Sequence, residues 1–269
     1  MGRHSKYINE HFFDRNDEIS YYVLGCFYAC YVPRHKQGII FRSKRKDLVT
    51  IVHNLIGSEH TIVKIPNKKS YSFEARKVPC LRQKLKEMGL EEDKERRTFP
   101  KIEDDELVRY FVRGFVEGTG YVKQDNENTK LYVKFNHEFL NGLSSTLSDL
   151  VGLSSKQPKN KKICYYNNEC FVLSGYLYPI NCNIPYLAEF REMLKNVKPK
   201  EHIPKTHIES RERIMKAIML IEKGMSVNEV CHEIGYKCRI SLYRAFKKIT
   251  GKTLREYFGH DFYNRLRKA

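Results

Sequence analysis

The sequence contains no apolar run that approaches the roughly 18 to 20 residues of a transmembrane helix. Its first residues, MGRHSKYINEHFFDRN, lack the apolar segment of a secretory signal, so secretion is not expected. No polybasic block adjoins an apolar helix, which argues against a membrane surface as the partner. These absences predict a soluble cytoplasmic protein.

The cysteines also lack a pattern that would bind metal. There are eight of them, but they form no CxxC pair, and no histidine lies at zinc-finger spacing. A chain of 269 residues with so few cysteines is not a disulfide scaffold, so we interpret them as reduced and mostly buried thiols. We expect no cofactor and no bound metal, and no nucleophile with an oriented base is visible.

Acidic residues are in deficit. The chain has 49 Lys and Arg against 32 Asp and Glu, a net charge of +17 and a pI near 9.4. Spread cations raise both the affinity and the association rate for phosphate backbones. Nucleic acid is therefore the expected partner.

Hydrophobic periodicity divides the chain into consecutive blocks. We predict an N-terminal extension at 1–17, a first repeat with a charged connector at 18–103, a second repeat at 104–198, a linker at 199–206 and a helical domain at 207–269. The fold class is α+β, with two pseudo-symmetric αββαββα repeats followed by a small all-α domain. The second repeat includes strand-like runs at KICYYN and ECFVLSG.

Two predicted helices carry small residues four positions apart. Gly25 and Ala29 lie in VLGCFYACY, and Gly114 and Gly118 lie in VRGFVEGTG. Small residues at this spacing allow two helices to touch backbone to backbone. These four positions are the predicted helix-packing residues.

Together with the element order, these two stretches resemble the LAGLIDADG homing endonucleases over about residues 18–196. The resemblance implies a DNA-binding saddle in which an acid at the end of each helix holds divalent metal. Those positions are Cys30 and Thr119 here, and neither can replace a hard anionic ligand of magnesium. We therefore predict no nuclease activity, and we interpret the nearby Glu117 as a helix-end residue.

In such a saddle the strands lie in the major groove and alternate side chains face DNA. In KLYVKF, Lys130, Tyr132 and Lys134 share one face, while Leu131, Val133 and Phe135 share the other. The alternative is a solvated face with ordinary lysines. The candidate DNA-binding residues of this domain are Lys36, Arg42, Lys64, Arg76, Lys123, Lys130, Lys134, Lys161 and Lys162, with Tyr165 and Tyr166 between them.

The C-terminal block has the pattern of a helix-turn-helix. Ser226 and Glu229 form a capping box at the start of one helix, and Gly235 ends it. A second, cationic helix follows and ends near Gly251, with Leu242, Phe246 and Leu254 expected in the core. One cationic helix after a glycine turn is the arrangement that places a helix in the major groove.

In detail this block resembles the AraC/XylS helix-turn-helix, through IGY at 234–236, LYRAFKK at 242–248 and GKTLREY at 251–257. That family usually has two tandem units, and only one is evident here. The resemblance implies base or backbone contacts at the start of the second helix and phosphate contacts or fold support further along. The residues so implied are Lys237, Arg239, Ile240 and Ser241, followed by Arg244, Lys247 and Lys248.

Together these features predict a sequence-specific protein that binds double-stranded DNA, a transcriptional regulator derived from an inactive homing endonuclease. The expected partners are DNA, bound as a monomer, and RNA polymerase, in the nucleoid of a bacterium, phage or mobile element. Two alternatives remain open: a metal-dependent endonuclease whose acids lie elsewhere, and an RNA maturase. The cationic second helix of the helix-turn-helix argues against RNA, because the major groove of A-form RNA is too narrow to admit an α-helix.

Overall fold

The computed structural model describes residues 6–33, 38–125, 128–179, 184–197, 207–236, 238–250 and 252–259. The chain divides into two compact units: unit 1 comprises Met1–Val151 and Ser155–His202, and unit 2 comprises Gly152–Ser154 and Ile203–Ala269. Both predicted repeats, 18–103 and 104–198, belong almost entirely to unit 1. Within the described ranges, no helix is long and apolar enough to span a membrane.

The first half of unit 1 has the predicted αββαββα order. Its elements are α1 (Glu18–Cys30), β1 (Tyr31–Pro33), β2 (Ile39–Ser43), α2 (Lys46–Leu55), β3 (Val63–Lys64), β4 (Tyr71–Ala75) and α3 (Pro79–Glu87). The strands form the first sheet, in the order β1-β2-β4-β3, and every neighbouring pair is antiparallel. The predicted strand HTIVKIP is paired only at Val63 and Lys64.

The second half departs from the predicted order. Its elements are α4 (Asp105–Thr119), β5 (Gly120–Asp125), β6 (Asn128–Lys134), α5 (His137–Val151), β7 (Lys162–Tyr166), α6 (Asn168–Leu177) and α7 (Ala188–Lys195). The second sheet has three antiparallel strands in the order β5-β6-β7.

The predicted strand ECFVLSG is therefore wrong, because it lies in α6. Asn167, with a φ of 37°, ends the sheet, and its carbonyl accepts the Phe171 N–H to begin the helix. Cys170, Leu173 and Leu177 are the buried residues of this segment. Their spacing of three and four is helical, although the short apolar run resembles a strand.

Unit 1 is built around α1 and α4, which contact each other backbone to backbone. A Cβ added to Gly25 would lie 2.0 Å from the Phe111 carbonyl oxygen, and one added to Gly114 would lie 2.0 Å from that of Tyr22. At Gly118, an added Cβ would lie 2.4 Å from the Cβ of Ala29. Any side chain at these glycines would separate the two helices. The small residues thus fix how closely the halves of unit 1 approach.

The regular secondary structure among the described residues of unit 2 is helical. It contains α8 (His207–Glu222), α9 (Val227–Glu233), α10 (Arg239–Thr250) and α11 (Leu254–Phe258). The predicted capping box is present at Ser226 and Glu229, and Gly235 has a φ of +74° after α9. Leu242, Phe246 and Leu254 are buried with Ile214 and Val230 in the unit's core, as predicted for the first three.

Candidate nucleic-acid interface

The outer face of the second sheet carries four lysines, Lys123, Lys130, Lys134 and Lys162, which we call the lysine face. Lys123 pairs in register with Lys130 across β5 and β6, and Lys134 pairs with Lys162 across β6 and β7. The opposite side of β6 presents Leu131 and Val133 to the core, where both are fully buried. Alternation along the strands therefore places all four ammonium groups on the same side of the sheet.

Tyrosines separate these lysines. The rings of Tyr121 and Tyr132 stack with centroids 4.8 Å apart and an interplanar angle of 14°. Lys134 Nζ lies 5.3 Å from the centroid of Tyr121, and Lys162 Nζ lies 5.4 Å from that of Tyr132. These cation–π contacts favour positions of the two ammonium groups above the sheet. One carboxylate reduces the charge at the edge, since Asp125 lies 3.2 Å from Lys123 Nζ and 3.9 Å from Lys130 Nζ.

Two predicted members of this surface lie elsewhere. Tyr165 faces the core and is almost fully buried, because it alternates with Cys164 and Tyr166 along β7. Lys161 precedes β7 in a turn with a φ of 55°, and its Nζ forms an ion pair with Glu95 at 2.8 Å. Tyr121, which sequence reasoning missed, belongs to the face; its signal was the alternation that it shares with Lys123.

The first sheet has a mixed outer face. Arg42, Ile40 and Glu74 alternate with the buried Phe41 and Phe73. Arg42 Nε is buried and has no hydrogen-bond partner within the described residues. Arg76 lies just beyond β4, and its Nε donates to Glu74 at 3.1 Å. These residues give the first sheet less positive charge than the lysine face.

Lys64 does not share the face of Arg42. It pairs in register with Tyr71, which is paired in turn with Ser43, and these positions lie on the core side at the edge of the sheet. Lys36 and Lys237, and the side chain of Lys248, lie outside the described part of the chain.

The helix-end positions Cys30 and Thr119 hold no anionic oxygen. Burial raises the pKa of the Cys30 thiol to about 11, so the group is neutral near pH 7. Thr119 Oγ1 donates to the Phe115 carbonyl at 2.9 Å. The residues present do not fit a divalent metal, and the described residues contain no cluster of three or more His, Cys, Asp or Glu that could hold one.

Glu117 lies near these positions but points into the core. Its carboxylate accepts hydrogen bonds from Tyr22 at 2.7 Å, Tyr178 at 2.8 Å and the Leu187 N–H at 3.2 Å. Burial raises its pKa, and these hydrogen bonds together with the charge of Arg113 oppose that rise. Glu117 therefore joins α1, α4 and the segment before α7 and offers no oxygen to solvent.

In unit 2, the cations of α10 lie on the side away from the core. Arg239, Ser241, Arg244 and Lys247 are exposed, whereas Leu242 and Phe246 are buried. Ile240 is 59% exposed, so it does not support the core. The Arg239 Nε donates to the side-chain oxygen of Asn228, which ties the start of α10 to α9.

The chain is thus an α+β protein with two antiparallel sheets in unit 1 and a helical unit 2. No protein-family model matches it, and no curated protein matches it. Among solved structures it is similar to the crystal structure of full-length DUF199/WhiA from Thermatoga maritima. The two are 16% identical, with a TM-score of 0.43 over 90% of this chain and 95% of that chain.

These comparisons correct the family assignment made from the sequence. The motifs of the sequence predict a LAGLIDADG homing endonuclease domain fused to an AraC/XylS helix-turn-helix. Neither family's model matches, and the similar solved structure belongs to DUF199/WhiA. The assignment is therefore wrong, and the AraC/XylS type in particular is not shown.

Proposed function

We propose that this protein binds double-stranded DNA in a sequence-specific manner and regulates transcription by occupying its site. The lysine face is the observation that carries the proposal. Four ammonium groups on one side of a rigid sheet match the repeated charge of a phosphate backbone. Contacts of this kind give affinity and orientation but no sequence information.

Sequence discrimination then falls to α10. Its exposed side carries Arg239 and Ser241 at the helix start, where hydrogen-bond donors can reach base edges, and Arg244 further along, where a cation can contact phosphate. A helix fits the major groove of B-form DNA and not that of A-form RNA, which favours duplex DNA as the ligand. We propose also that the protein binds DNA as a monomer and contacts RNA polymerase.

We propose further that the protein leaves its DNA intact. Hydrolysis through two metals needs carboxylates that position the cations and the attacking water. Cys30 is a neutral thiol at the end of α1, and the Thr119 hydroxyl bonds to the backbone. Glu117 is buried in its own hydrogen-bond network. Incubation of bound supercoiled DNA with magnesium tests this, and nicks would refute it.

The binding proposal is tested by competition among three ligands of equal length: random duplex DNA, single-stranded DNA and structured RNA. The full chain should prefer the duplex. Lys134→Gln should weaken duplex binding, and the slope of log affinity against log salt should fall by about 1. Lys86→Gln, which removes an exposed cation from α3, serves as the matched control and should change neither.

Preference for structured RNA would show that the ligand class is wrong. If Lys134→Gln and Lys86→Gln had equal effects, the lysine face would be an ordinary solvated surface.

A further inference from the structure

Two arginines bind equivalent backbone carbonyls at the C-terminal ends of α1 and α4. Arg97 donates to the carbonyls of Tyr28 at 2.7 Å and Tyr31 at 3.2 Å. Arg45 donates to the carbonyls of Glu117 at 2.7 Å and Gly120 at 2.6 Å. Tyr28 and Glu117 are separated along the chain by the same number of residues as Gly25 and Gly114, and so are Tyr31 and Gly120. A guanidinium therefore binds equivalent carbonyls at the C-terminal end of each central helix.

The charge of each guanidinium is not cancelled by these contacts, because carbonyl oxygens are neutral. Arg97 is fully buried, and it also donates to the carbonyls of Glu91 at 2.7 Å and Glu92 at 3.3 Å. The nearby carboxylates have cations of their own: Glu92 pairs with Arg82, Asp93 pairs with Arg96, and Glu117 lies in the field of Arg113.

The two helix ends adjoin each other. Cys30 Sγ lies 3.9 Å from the Gly118 carbonyl oxygen, and both helices lead directly into the first strands of their sheets. Lys94 adds a third cation, with its Nζ 4.8 Å from the ring centroid of Phe135. Without these cations, the C-terminal carbonyls of two helices would present partial negative charge to an approaching polyanion.

We propose that the adjoining ends of α1 and α4 form the electrostatic centre of the DNA site. Arg45 and Lys94 contact phosphate there, and the buried Arg97 acts through its field as a positioning residue. Because the cations belong to the chain, DNA binding at this centre needs no divalent metal. This inference rests on the proposed function and names further residues of the same site.

The test measures affinity for duplex DNA in EDTA and in magnesium at matched ionic strength. Arg45→Gln should weaken binding by about tenfold in both buffers, and Arg45→Lys, which keeps the charge but not the planar pair of donors, should recover part of the loss. Arg15→Gln is the matched control, because it removes the same charge beside the N-terminal end of α1, where Arg15 pairs with Asp17. It should change affinity by less than about twofold.

Arg45→Gln also loses two hydrogen bonds to carbonyls, so the thermal midpoint of every variant is measured. Lys94→Gln provides an independent readout: it removes one cation–π contact rather than two hydrogen bonds, so it should weaken binding with a smaller fall in the midpoint than Arg45→Gln. Equal affinities for Arg45→Gln, Lys94→Gln and Arg15→Gln would overturn the inference, as would a wild-type chain that binds only with magnesium. If the wild-type chain fails to bind duplex DNA in either buffer, the proposed function itself fails.

Discussion

At the closest point between α1 and α4, Gly25 faces the Phe111 carbonyl and Gly114 faces that of Tyr22. We predict that Gly25→Ala lowers the free energy of unfolding of unit 1 by about 3 kcal/mol or more, because backbone cannot move aside as a flexible side chain can. Chemical denaturation of the full chain measures the change.

Gly175→Ala is the control for this substitution. Gly175 lies in α6, and an added Cβ would meet nothing within 4 Å. Alanine is the better helix former, so stability should stay unchanged or rise by up to about 1 kcal/mol. If Gly25→Ala behaved like Gly175→Ala, the two helices would not be in backbone contact.

At the scale of single elements, the capping box of α9 gives a stability prediction. Ser226 Oγ accepts the Glu229 N–H, and the Glu229 carboxylate accepts the Ser226 N–H. Ser226→Ala should reduce the stability of unit 2 by about 1 kcal/mol. Hydrogen exchange at the α9 amides measures this loss, and unchanged exchange rates would contradict it.

The same cap predicts a pH dependence. The hydrogen bond from the Ser226 N–H lowers the pKa of Glu229 from its ordinary value of 4.5. A lowered pKa means that the stabilisation is full above that ordinary value and is lost as the pH falls through the folded-state pKa. Wild type should therefore exceed Glu229→Gln in stability at neutral pH, and the two should converge in acid. A constant difference would show that the carboxylate does not cap the helix.

The exposed residues of α10 should divide into two classes. Arg239→Ala should reduce discrimination between specific and random DNA by about 1–3 kcal/mol if its guanidinium reads a base. Lys247→Ala should weaken all duplexes alike and reduce the salt dependence. Competition binding with both DNAs measures these effects. If both variants lost equal affinity for specific and random DNA, Arg239 would not read a base and the two residues would not differ in role.

The elements show which features of this chain local sequence can predict. The cap at Ser226, the alternation in β6 and the glycine spacing in α1 and α4 each depend on neighbouring residues, and the structure has those features. The prediction of a strand at 169–175 is wrong. The run is too short for its apolar residues to distinguish the period of a helix from that of a strand, and Asn167 ends the sheet before it begins.

Contacts between distant segments left no such signal. Arg45 and Arg97 act on carbonyls 72 and 69 residues away, and nothing in their sequence neighbourhoods marks them. The sequence predicts Tyr165 and Lys64 on the DNA-facing surface, and this is wrong for both. Strand register determines which side of a sheet a residue faces, and the register comes from pairing with distant strands. The lysine face itself was within reach of the sequence, since three of its members lie on adjoining predicted strands.

For the whole molecule, the proposed function implies that binding by one unit raises the effective concentration of the other near DNA, because one chain joins them. Unit 1 would supply salt-sensitive affinity through the lysine face and the helix ends. Unit 2 would supply discrimination through α10. Loss of cations from either unit should then weaken binding, but only changes in α10 should alter the preferred sequence.

The most direct test is a selection of random duplex DNA on the full chain, with the bound pool sequenced after incubation with magnesium. We predict an enriched sequence with intact ends, which Lys134→Gln binds more weakly without altering it and Arg239→Ala relaxes. A bound pool without enrichment would contradict sequence-specific binding, and cut ends within an enriched sequence would contradict the proposal that the protein leaves DNA intact.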